Sequence, residues 1–142
     1  MLGPLAIGAA MGGLFIVLAR RVRPGGAAEL PLSAAALILA ALIYVGFALR
    51  AGSPGPAWLV LEVAGLALFS LLAWFGLRGS AWWLALGWGI HACVWDFLLH
   101  LHQPSQFVPA WYPFWCGGLD LAVAALLAAS VARAGKLRPD PR

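Results

Sequence analysis

The chain has 142 residues, 63% of them hydrophobic and 10% charged, with a formal net charge of +4. At a mean hydropathy of +0.92 that apolar surface exceeds what one soluble core of this length can hide, so most of it must face lipid. The nine Lys and Arg residues lie between or after the apolar runs, which argues against nucleic acid as a partner, and two cysteines are too few for a disulfide scaffold.

A helix needs roughly 20 residues to cross about 30 Å of hydrocarbon. Five runs meet that length: Leu2 to Ala19, Leu30 to Leu49, Ala57 to Leu77, Ala81 to Leu101 and Trp111 to Ala132. The fold class expected is therefore an all-α membrane bundle of five transmembrane helices. The first run lacks a basic n-region and a small-residue cleavage site, so it reads as a retained helix. Residues 1–132 form one transmembrane domain on this reading, and 133–142 a short basic cytoplasmic tail. Helix breakers separate the runs at Pro24-Gly25-Gly26, Pro54-Gly55-Pro56, Gly79-Ser80 and Pro104 to Pro109.

The positive-inside rule gives an orientation. With the N-terminus outside and the C-terminus inside, Arg20, Arg21, Arg23, Arg78, Arg133, Lys136, Arg138 and Arg142 fall on the inner side and only Arg50 on the outer. Trp58, Trp111, Tyr112 and Trp115 then mark the outer interface, and Trp74, Trp82 and Trp83 the inner one. Gly8 and Gly12 make a Gly-x-x-x-Gly pair, while Ala124, Ala125, Ala128 and Ala129 give the last helix a smooth face, both packing features. The wealth of Ala, Leu, Gly and Arg points to a GC-rich bacterial genome and hence a bacterial inner membrane.

Three of the five acids, Glu62, Asp96 and Asp120, fall inside predicted spans, where each costs about 2.5–3.5 kcal/mol to insert. Counting from helix ends places all three on the order of 7–14 Å below the outer surface. Asp96 and His100 are four apart, one turn from each other on one helix face, which is ligand spacing. His91 lies about 140° round an α-helix from Asp96 and so need not share its site. All three histidines, His91, His100 and His102, crowd into this segment.

Two chemistries suit such a layer. Glu62, Asp96, His100 and Asp120 can hold a proton or a divalent metal such as zinc, with His91 and Cys116 in secondary positions. Alternatively Asp96, His91, Glu62 and Asp120 act as acids and bases of an enzyme on a lipid or isoprenoid-like substrate, by metal-dependent hydrolysis or isomerisation, with Trp88 and Trp95 lining its pocket. A third reading makes the acids struts that hold helices in register in a structural partner protein. The lipid bilayer is the evident partner, with a cation or lipid-soluble ligand, and a carrier role would call for a homodimer. Nucleophile-elbow, phosphate-loop and Cys-x-x-Cys signatures are absent from the sequence.

The run His91-Ala92-Cys93-Val94-Trp95-Asp96-Phe97-Leu98-Leu99-His100, with Val108-Pro109-Ala110-Trp111-Tyr112-Pro113 and Cys116-Gly117-Gly118-Leu119-Asp120 after it, resembles the core of a family of small, uncharacterised bacterial multi-pass membrane proteins. The resemblance covers roughly the C-terminal third. It implies a membrane protein and supplies no activity, substrate or catalytic residue. In its helix number and its intramembrane acids, histidine and tryptophan, the chain is also similar in kind to sterol-isomerase-like membrane proteins.

Overall fold

The computed structural model describes residues 1–22, 28–50, 55–101 and 107–136. Arg23, His102 and the tail beyond Lys136 lie outside the described residues, as do most of the breaker segments. The described chain is all helical. It comprises α1 (Leu2–Val22), α2 (Glu29–Arg50), α3 (Pro56–Arg78), α4 (Trp82–Ile90), which continues without interruption as a π-helix (His91–Leu101), and α5 (Tyr112–Lys136). Counting α4 with its π extension, five helices are long and apolar enough to cross a membrane, as expected for a multi-pass membrane protein.

Local chemistry sets the helix starts. Glu29 places a negative charge on the first turn of α2, where the helix dipole favours it. Pro56 opens α3 at a position where its missing N–H costs nothing. The outer surface is apolar on every helix, through exposed residues such as Leu14, Leu39, Leu71, Leu86 and Leu121, while a narrow core holds Ile16, Leu37, Phe69, Leu84 and Leu127. An apolar exterior over an apolar core is the arrangement expected of a bundle whose external solvent is hydrocarbon.

Small residues bring backbones together. A Cβ at Gly8 would overlap the carbonyl oxygen of Trp115, one at Gly12 that of Leu119, and one at Gly118 that of Leu5. The Gly8/Gly12 pair thus seats α1 against the first half of α5, at Trp115, Leu119 and Ala122, ahead of the alanine-rich face. At the end of the bundle where α1 finishes and α2 begins, the Arg20 guanidinium donates to both oxygens of Glu29 at 2.9 and 3.0 Å. It also donates to Ser130 Oγ on α5 at 2.5 Å.

Tyr112 departs from its expected place at the lipid interface. It is buried, with its ring edge-on to Tyr44 and Phe47 at 5.4 and 5.0 Å, whereas Trp111 is half exposed. The start of α5 thus faces the core with its tyrosine and the exterior with its tryptophan.

Candidate functional site

Five carboxyl and imidazole side chains are buried among the described residues: Glu62, His91, Asp96, His100 and Asp120. No lysine or arginine lies among them. With both imidazoles protonated and all three carboxyls ionised the cluster would still carry one net negative charge. A net charge held away from water is costly, so the cluster calls for at least one further proton or a cation.

The winding of the fourth helix decides how these groups meet. From His91 to Leu101 the backbone bonds i→i+5, which adds about one residue to each turn and places residues five apart one above the other. His91 and Asp96, on different faces of an α-helix, therefore converge, with Nδ1 3.7 Å from Oδ2. The separation expected from α-helical phase does not hold because this segment is not α-helical. Asp96 and His100, expected to share a site by their four-residue spacing, instead belong to two neighbouring groups.

The first group is built on the π-helix and α5. His91 Nδ1 and Asp120 Oδ2 share a proton at 2.6 Å. Cys116, one turn before Asp120, holds its sulfur 3.9 Å from both Asp120 oxygens. Asp96 Oδ1 accepts a 2.5 Å hydrogen bond from the Tyr44 hydroxyl of α2, while its buried Oδ2 has no hydrogen-bond partner among the described residues. One donor atom each from His91, Asp96, Cys116 and Asp120 lie within 4.8 Å of one another, all buried.

The second group is built on α3 and the π-helix. Trp95 Nε1 donates to Glu62 Oε2 at 3.0 Å, and His100 Nε2 stands 3.2 Å from Glu62 Oε1. Gly65 makes this possible, since a Cβ there would overlap the Trp95 ring. Tyr44 joins the two groups, for its ring stacks on His100 at 4.3 Å and its hydroxyl reaches Asp96.

The residues singled out in the sequence are thus placed as follows. Asp96, Asp120, His91 and Cys116 come together, Glu62 and His100 pair beside them, and Trp95 serves Glu62 as a hydrogen-bond donor. Trp88 is buried on α4, and its indole N–H has no hydrogen-bond partner among the described residues. Tyr44 went unnoticed. Its signal is a phenol in the middle of an apolar run, whose hydroxyl must find a partner once buried.

The donor set can be tested against a metal. Two ligands on one tetrahedral zinc, each at about 2.0–2.3 Å, stand roughly 3.3–3.8 Å apart. Nitrogen and oxygen ligands take the short end of that range, so the His91–Asp96 separation of 3.7 Å and the Cys116–Asp120 separation of 3.9 Å each exceed a zinc-bound spacing by a few tenths of an ångström. The 2.6 Å His91–Asp120 contact is shorter, a proton-holding bond that would open by about 1 Å as its proton left. No family model matches the chain, and no significant match to a curated protein or to a solved structure is found.

Proposed function

We propose that this protein binds one divalent cation, zinc by ligand chemistry, at His91, Asp96, Cys116 and Asp120 inside a five-helix membrane bundle. The observation that carries the reading is the convergence of these four buried donor atoms within 4.8 Å. Charge agrees with it. The carboxylates of Asp96 and Asp120 offset the two charges of the ion, His91 binds as neutral imidazole, and Cys116 gives up its thiol proton on binding, so the loaded site carries no more than one net negative charge. One nitrogen, one sulfur and two oxygens form a donor set that suits zinc better than magnesium or calcium. Tyr44 orients Asp96 from outside the ligand set, and such partners tune metal affinity.

The distribution of arginines supports an N-terminus on the outside and a C-terminus on the inside of a bacterial inner membrane. On that orientation the site lies in the outer half of the bilayer.

Elemental analysis of gently purified protein tests the proposal. The wild type should retain close to one zinc per chain after zinc loading and desalting. Asp96→Asn and Asp120→Asn should lose it, and His100→Ala, outside the four-donor group, should keep it. A wild type that retains no metal overturns the cation reading and leaves the 2.6 Å His91–Asp120 and 2.5 Å Tyr44–Asp96 bonds as parts of a proton-holding site.

A further inference from the structure

A cleft of about 240 Å³ opens between α1 and α2 and reaches inward to α4 and α5. Its lining includes Met11 and Leu39, both exposed on the outer surface, and Ala40, Trp88, Cys116 and Asp120 deeper in. The cleft therefore runs from the lipid-facing surface to the edge of the buried centre. Three features of its walls restrict what fits.

The first is size. An apolar cavity of roughly 150 Å³ takes benzene, so 240 Å³ accommodates one ring system or one chain segment, and not the two acyl chains of a phospholipid. The second is the Trp88 indole. It is 1% exposed, and its N–H has no hydrogen-bond partner among the described residues. An indole N–H only donates, and leaving it unpaired is costly, so the missing partner is an acceptor. The third is Asp120 in the lining. A carboxylate there disfavours an anionic head and selects a neutral oxygen.

We propose that the α1/α2 cleft is a lateral binding site for a single-chain or single-ring lipid with one neutral terminal oxygen, an alcohol or carbonyl, that accepts a hydrogen bond from Trp88. The ligand enters from the bilayer between Met11 and Leu39 and brings its oxygen toward Asp120 and Cys116. This site does not depend on the cation reading, and its test uses protein stripped of metal by a chelator.

The probe is a long-chain alcohol carrying a photoactivatable diazirine, added to the full chain in nanodiscs, with the matching alkane and carboxylate as comparisons. Mass spectrometry should place the alcohol's cross-links on the cleft residues of α1, α2 and α5, competed by unlabelled alcohol. Trp88→Phe, which keeps an aromatic ring and removes the N–H, should weaken alcohol binding about fivefold, the worth of one hydrogen bond, and leave the alkane unchanged. Ala40→Trp should block all three probes, and if that variant does not fold, the Trp88→Phe comparison decides alone. Equal labelling by alcohol and alkane in both proteins, or labelling spread evenly over exposed residues such as Leu71 and Leu98, overturns the proposal. So does a self-cross-linked dimer through the cleft with no probe attached, which would make a second copy the occupant.

Discussion

His91 and Asp96 stand 3.7 Å apart because the helix that carries both is wound i→i+5 between them. Asp120 then closes on the same imidazole nitrogen from α5 at 2.6 Å. Removing the imidazole leaves two buried carboxylates without it. His91→Ala should therefore destabilise the protein by about 3–5 kcal/mol, as breaking a buried pair does, read from thermal unfolding in detergent. The double variant His91→Ala/Asp120→Ala should lose less than the sum of the two single losses. Strict additivity would show that the two side chains do not act as a pair.

Tyr44→Phe keeps the ring on His100 and deletes the donor to Asp96. The expected loss is about 1.5–3 kcal/mol of stability, typical of a hydrogen bond to a charged acceptor. Zinc affinity should fall about 10–100-fold, as it does when a ligand loses its outer partner. Competition with a chromogenic chelator measures the second effect, and an unchanged affinity would remove Tyr44 from the centre.

Zinc binding should weaken as the pH falls. Asp96 and Asp120 bind as carboxylates and His91 as neutral imidazole, so metal entry releases protons and acid opposes it. Calorimetric titrations in two buffers of different ionisation enthalpy would count the protons released. Affinity that is flat or rises on acidification would contradict the assigned ligands.

Gly65→Ala should cost about 1–3 kcal/mol by overpacking, because the added methyl meets the Trp95 ring and pushes its N–H from Glu62. Gly89→Ala offers a control on the neighbouring helix. A Cβ at Gly89 meets nothing within 4 Å, and the change should stay within about 0.5 kcal/mol. Equal unfolding midpoints for the two variants would show that Trp95 moves aside without loss.

The Arg20–Glu29 pair should matter far less than the buried acids. The Arg20 side chain is 36% exposed, so solvent screens the attraction, and Glu29→Gln should cost about 0–1 kcal/mol and less at high salt. A loss comparable to that of His91→Ala would mean that this end of the bundle is sealed from water.

The five spans were legible because the length of an apolar run is a direct measure of hydrocarbon thickness. The observed Glu29–Arg50 and Pro56–Arg78 extend their expected runs by one residue at each end. That Glu62, Asp96 and Asp120 share one level of the bundle was legible for the same reason, since rise per residue converts position into height. Rotation was not. Which residues face each other depends on how five helices are turned about their axes, and a uniformly apolar run such as α3 carries little phase information. The π-winding left no mark in the composition of His91 to Leu101, so His91 stood on the wrong face and Asp96 was matched with His100. Tyr44 was hidden by the same uniformity, as one more aromatic in a run of Ala, Leu and Ile.

The tier of packed side chains between the two ends of the bundle also limits how the centre can operate. Ile16, Leu37, Phe69, Leu84, Val123 and Leu127 are all fully buried. They fill the span between the carboxylates and the Arg20–Glu29–Ser130 cluster, roughly 15–20 Å by helical rise. A charge has no foothold in that stretch. On the cation reading, an ion or proton held at the centre would therefore leave by the side from which it came, and occupancy, rather than flux, would be the quantity it reports.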